Sequence, residues 1–277
     1  SFVEVTAHGG ARPSHAVWQG RRYHRGGAVD YLGQHYEDFE SATGYGTGAG
    51  LCGWNCRHTF FVVFPELGSP PAWTQESLEA LNARDIEYDG RLYTRYEISQ
   101  MQRARERAVR KYKRRYLAED AAGADTTASA VKLRQARQSL ADFTRATGGR
   151  VDSARTSVHG FGRSASSKAA WDVRHNTLTN AAGQTIIKVS KSNITGPRNG
   201  ITQKTNAKGG IDRNYYGPDG RQTKQISNNG HGHKVEEALG KHGEHAHDYI
   251  FDAEGHLCGR PSRELTDAER KENNDIL

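Results

Sequence analysis

The strongest alternation of apolar and polar positions is helical. In "TRYEISQMQRARERAVRKYKRRYLAED", residues 94–120, Ile98, Met101, Val109, Tyr112 and Tyr116 recur at helical intervals. Thr94 and Glu97 have the spacing of a capping box, so the helix starts there. Arg103, Arg107, Arg110 and Arg114 fall on the opposite face, and Arg105 interrupts the apolar stripe. After "AAGAD", Leu133, Ala136, Leu140 and Phe143 make a second stripe that stops before Gly148-Gly149. Two such helices joined by a short turn predict an antiparallel hairpin over 94–148.

Elsewhere the pattern is shorter-ranged. "TFFVVF" before Pro65 reads as a strand, and "WTQESLEALNAR" as a short helix begun by Thr74. "QTIIKVSK" is a strand, and "IDRNYYGPDGRQTKQIS" a hairpin turning at Pro-Asp-Gly. "HKVEEALG" predicts a turn or two of helix and "HAHDYIFD" alternates as a strand. "LTDAERKENN" opens with Thr266 and Glu269 as another capping box. Residues 149–175 show no periodicity and read as a linker. The chain is thus α+β: a loop-rich N-terminal domain over 1–93, the hairpin over 94–148, the linker, and a small α+β domain over 176–277.

Composition adds three constraints. An apolar fraction of 35% with 31 glycines predicts much loop around modest cores. The net charge of +7 favours a polyanionic neighbour. Cys52, Cys56 and Cys258 cannot make a disulfide framework, and no apolar run is long enough to span a membrane. Without an initial Met or a leader, Ser1 reads as an internal start.

"GYGTGAGLCGWNCRH", residues 44–58, combines several signals. Gly48, Gly50 and Gly53 satisfy G-x-G-x-x-G, but the run precedes a strand rather than opening a helix, so the dinucleotide reading fails. Cys52, Cys56 and His58 offer close-spaced zinc ligands, with His8 or His15 as a fourth. The competing reading is a buried thiol beside a hydrogen-bonded core histidine and no cofactor.

Together with the earlier "AHGGARPSHAVWQGRRY", this stretch resembles the phage minor capsid proteins of the Mu F type, especially the minor capsid protein 2 branch. "YTRYEISQMQRARERAVRKYKRR" and "ADFTRATG" extend the resemblance to about residue 150. It implies a low-copy virion protein, made in the host cytoplasm, associated with portal and capsid proteins and acting in head assembly, DNA packaging or ejection. His8, Arg12, His15, Cys56, Arg57 and His58 match the motif. They read as a polar framework tying the glycine-rich loops together, with Asn55 and Ser14 as partners.

"RKYKRR" has no acidic residue to balance it. Arg103, Arg107, Arg110, Lys111 and Arg114 therefore suit non-specific contact with double-stranded DNA, though a solvated face gives the same pattern. In the C-terminal domain, His231, His233, His242, His245 and His247 crowd into one segment, with Arg260, Arg263 and Lys204 elsewhere in the domain. Mu F-type proteins carry variable C-terminal toxin domains, many of them ribonucleases, and residues 176–277 resemble such an appendage. On that reading His231 is the base, His247 the acid, His245 its substitute and Arg263 the phosphate clamp. RNA and an immunity protein would then be partners. A metal site on the His-x-His pairs and an inert module docking on portal or capsid are the alternatives.

Overall fold

A computed structural model describes all 277 residues, and the chain is a mixed α+β protein that divides into two compact units. Unit 1 comprises residues 1–107 and 139–153, and unit 2 residues 108–138 and 154–277. The division falls within the two long helices, so residues 94–148 are not a separate domain.

Unit 1 carries β1 (Phe2–Val5), α1 (Pro13–Ala16), β2 (Arg22–His24), β3 (Val29–Tyr31), β4 (Gln34–Tyr36), α2 (Phe39–Thr43) and β5 (Phe60–Val62). These are followed by α3 (Gln75–Leu81), β6 (Arg84–Tyr88) and β7 (Arg91–Thr94). β1 is the middle strand of an antiparallel sheet ordered β2-β1-β5. Val3, Val5, Trp18, Tyr23, Phe39 and Leu51 form the core against it. α3 starts where expected, the Thr74 side chain accepting from the Ser77 amide at 3.2 Å.

The glycine-rich stretch is built on close backbone approaches rather than on a ligand cradle. A Cβ on Gly50 would overlap the Gly44 carbonyl, and one on Gly53 would collide with the carbonyls of Thr47 and Gly48. Only glycine allows the chain to fold back on itself there.

α4 (Arg95–Ala121) and α5 (Thr127–Ala146) run through both units. At the start of α4, Thr94 and Glu97 make the reciprocal bonds of a capping box. Arg105, the charge inside the apolar stripe, is accommodated in unit 1: its guanidinium lies 4.1 Å from the centre of the Phe143 ring and hydrogen-bonds the Tyr88 hydroxyl at 3.2 Å. In unit 2, Tyr116 is fully buried and donates to Asp172 at 2.8 Å.

Unit 2 continues with α6 (Ser153–Thr156), whose first residue still belongs to unit 1, α7 (Arg163–Asn176), β8 (Thr177–Thr179), β9 (Thr185–Lys188), β10 (Ile201–Thr205), β11 (Ile211–Tyr216) and β12 (Gln222–Ser227). It ends with α8 (Lys234–Glu237), β13 (His245–Asp248), β14 (Ile250–Phe251), β15 (Leu257–Gly259), β16 (Ser262–Arg263) and α9 (Asp267–Glu272). Seven strands form one sheet, β16-β13-β12-β11-β10-β9-β8, antiparallel except for β9 beside β10. The predicted β11–β12 hairpin and the Thr266–Glu269 capping box of α9 are both present.

The segment read as a linker contains α7. Its inner face, Ala169, Asp172 and Val173, has helical spacing, but Asp172 replaces an apolar residue and the signal disappears. That carboxylate accepts from Tyr116 and from Thr126 at 2.7 Å, which satisfies it within the unit.

Candidate functional site

In unit 1 the two halves of the glycine–histidine motif meet. α1 presents His15, and the loop before β5 brings Cys56 and His58 against it. Cys56 Sγ lies 3.7 Å from His15 Nδ1 and 3.5 Å from His58 Nδ1. The opposite ring nitrogens donate, His15 Nε2 to the Ala49 carbonyl and His58 Nε2 to Gln19 Oε1, each at 2.9 Å. Gln19 Oε1 also accepts from the His8 amide, which fixes the orientation of that side-chain amide.

His8 stacks on His58, and Arg57 Nη2 approaches His8 Nδ1 at 3.4 Å. Arg12 donates to the Trp54 carbonyl at 2.7 Å. All six motif residues therefore share one connected cluster. Burial lowers the pKa of His58 to about 4, helped by the neighbouring charges of His8, His15, Arg57 and Arg12, so its ring is neutral at pH 7. His15 is shifted down chiefly by its burial.

The partners differ from those anticipated. Ser14 is exposed, and Asn55 serves a left-handed turn at φ 56°. The fully buried Gln19 and backbone carbonyls take their place. Gln19 was visible in "WQG" but carried no charge to draw notice. Cys52 is exposed and donates to the His58 carbonyl at 3.6 Å, away from the two imidazole nitrogens that face Cys56.

The basic positions of α4 are unequal. In unit 1, Arg107 is exposed and Arg103 half-buried. In unit 2, Arg110 donates to the Arg155 carbonyl, Lys113 to the Thr156 carbonyl at 2.7 Å, and Arg115 pairs with Glu119. Lys111 and Arg114 remain exposed, Lys111 lying near its neighbour Tyr112. The row thus mixes solvent-facing cations with ones that anchor backbone.

His245 and His247 sit on a polar face of the seven-stranded sheet. Residues directly opposite across antiparallel strands share a face. One register row is Thr202, Asn214, Gln225, His247 and Ser262, and the next is Lys204, Asp212, Ser227 and His245. The other face carries Gln203, Arg213, Ile226, Ala246 and Arg263, with Ile226 and Ala246 in the core. Thr202, Asn214, Gln225, Ser227, His245 and His247 in these rows are buried polar groups where a sheet would otherwise bury apolar ones.

His245 and His247 touch through their Nε2 atoms at 3.0 Å and are almost wholly buried. His245 Nδ1 donates to the Gly243 carbonyl at 2.8 Å, and Arg260 Nη2 approaches His247 Nε2 at 3.1 Å. Glu236 of α8 comes within 3.3 Å of His247 Nε2 and 3.8 Å of His245 Nε2. His231, held at φ 53°, reaches Asp212 at 3.2 Å and meets His245 edge-on at 5.7 Å. Burial, then Arg260 and His245, lower the pKa of His247 to about 4 against the opposing pull of Glu236. His247 Nδ1 and Glu236 Oε2 are buried without a hydrogen-bond partner.

Of the residues singled out for catalysis, His231, His245 and His247 come together and Arg263 does not. Arg263 lies on the opposite face, bound to Asp248 at 2.6 and 3.0 Å and to Glu269 at 2.8 and 3.0 Å. Its row partner is Ala246, so strand alternation alone turns it away from the histidines. Arg260 occupies the position beside them instead. His233 and His242 stay on the surface, and Glu236 was hidden in an ordinary "VEEAL" helix turn.

No curated protein and no solved structure gives a significant match to the chain. The family described as Phage minor capsid protein 2 matches residues 1–145, which takes in the histidine–cysteine cluster and nearly all of α4 and α5. That match spans more than half of the sequence, and on it the chain belongs to the phage minor capsid protein 2 family.

Proposed function

We propose that the protein is a Mu F-type minor head component that binds a second head protein at the portal-proximal end through the edge strand β5. Membership of the family makes it a structural protein of the virion. No helix is long and apolar enough to cross a membrane. The observation that carries the proposal is the outer side of β5: this strand ends its sheet, and Phe61, Val62, Phe64 and Leu67 are exposed along it and just beyond it. An apolar strand edge with unpaired backbone groups is a template for strand addition by a partner. The buried histidine–cysteine cluster holds the loop leading into β5, so the edge is presented in one conformation.

Phe61→Glu with Phe64→Glu tests this in assembling heads. The variant folds, by circular dichroism, and its copy number per head falls several-fold; an unchanged copy number refutes the docking edge. Arg107, Lys111 and Arg114 suit non-specific phosphate contact as DNA passes, and a salt-insensitive interaction with duplex DNA would remove that part.

A second reading keeps the ribonuclease in unit 2. It is favoured by His231 and Arg260 beside the buried His245–His247 pair, a set able to hold phosphate and move a proton. His231, with a quarter of its side chain accessible, is the group substrate could reach first. RNA cleavage on induction of the chain, abolished by His231→Ala and by Arg260→Ala, supports it; intact RNA with the parent chain ends it.

A further inference from the structure

We propose that His15, Cys56 and His58 bind a zinc ion, with water in the fourth position. Three protein donors converge: Cys56 Sγ, His15 Nδ1 and His58 Nδ1 all lie within 4.8 Å of one another. Tetrahedral zinc with its usual sulfur and nitrogen bond lengths separates a thiolate sulfur from an imidazole nitrogen by about 3.6 Å. The two separations here are 3.5 and 3.7 Å.

Tautomers decide between a metal and a hydrogen-bonded cluster. Ala49 O and Gln19 Oε1 can only accept, so both histidines carry hydrogen on Nε2 and turn a bare Nδ1 lone pair toward the thiol. One thiol hydrogen cannot serve two lone pairs, whereas a metal ion serves both and takes the thiolate as well. Ligating histidines are characteristically oriented by an acceptor on their other nitrogen, and here both are. The site excludes Cys52, which the sequence spacing had offered as a ligand. It is confined to unit 1 and ties α1 to the loop leading into β5.

The second triad of the molecule, Glu236, His245 and His247, lacks this logic. Arg260 directs a guanidinium nitrogen at His247 Nε2 from 3.1 Å, and His247 Nδ1 has no acceptor. A cation would meet like charge there.

The test uses the full chain without an affinity tag, stripped with chelator and titrated with Co²⁺. The expected result is one tightly bound equivalent, visible ligand-field bands of tetrahedral intensity and a near-ultraviolet thiolate-to-cobalt charge-transfer band, all displaced by Zn²⁺. Cys56→Ser loses the charge-transfer band. A Cys52→Ser, Cys258→Ser variant, with Cys56 as the only thiol, keeps it. Gln19→Ala retains all three ligands and weakens binding by roughly 10–100-fold, as loss of an orienting partner does. A folded parent chain that gives no charge-transfer band, or a band that follows Cys52 or Cys258, overturns the proposal.

Discussion

Replacing His247 by Gln should make unit 2 less sensitive to acid. His247 has a pKa of about 4 in the folded protein against 6.5 for a free imidazole. Burial is the largest cause; Arg260 and His245 add to it, and Glu236 opposes them. Between these two values the unfolded chain takes up a proton that the folded one refuses. Stability is therefore complete above the unfolded value and declines as pH falls from 6.5 towards 4. A difference of roughly 2.5 pH units corresponds to about 3 kcal/mol. His247 is 2% exposed, so little solvent screening reduces that figure. Glutamine keeps an acceptor for Arg260 and cannot titrate. Native-state hydrogen exchange of the β12 and β13 amides, corrected for intrinsic rates, measures opening free energy of this sheet at each pH. The parent should lose about 3 kcal/mol more than His247→Gln between pH 7 and pH 4. Equal losses in the two proteins would refute the placement of a neutral, buried His247.

Arg105→Ala removes the cation over Phe143 and the bond to Tyr88, and should cost unit 1 about 2–4 kcal/mol, whereas Arg105→Met, which keeps the stem, should cost about half of that; urea unfolding distinguishes them. Arg263→Lys breaks a guanidinium fork shared by Asp248 and Glu269 and should lower stability by about 2 kcal/mol, read from thermal unfolding of the full chain. Gly50→Ala forces a methyl group into the Gly44 carbonyl and should lose more than about 3 kcal/mol or fail to fold, visible as loss of near-ultraviolet dichroism. Glu244 is pulled down to about 2: its burial acts the other way and is outweighed by Arg270 and by the backbone N–H groups of His242 and Lys241. Its contribution is complete above about pH 4.5 and is lost as pH falls towards 2, so Glu244→Gln should flatten the acid limb of a pH–stability curve.

The long helices were legible because their apolar residues keep a 3.6-residue period over several turns, and both capping boxes announced themselves by Thr and Glu three apart. α7 was not, because Asp172 sits where the period called for an apolar side chain, and its partners, Tyr116 and Thr126, are distant in sequence. The polar rows of unit 2 escaped for a similar reason. Which of His247 and Arg263 shares a face with its neighbours depends on the register between β13 and β16, and a chain of sequence letters does not state a register. The motif histidines could be placed together from their resemblance to a family, yet not oriented: the carbonyl of Ala49 and the amide of Gln19 choose the tautomers. Cys52 and Cys56 are equivalent by spacing alone, and only the fold of the glycine turns sends one outward and the other in.

The central position of β1 has a consequence for synthesis. β1 meets β2 after the connection over residues 6–21 that contains α1, Val3 opposite Tyr23, but its other edge waits for β5, Val3 opposite Val62. A ribosome making this protein thus extrudes a two-stranded ribbon whose second edge, lined by Phe2, Val3 and Val5, stays open until the glycine turns have emerged and β5 follows. Early misassembly should concentrate there. Delay between the two segments, whether from slow translation or from a strained Gly50 substitution, should cut soluble yield well before it alters the finished fold.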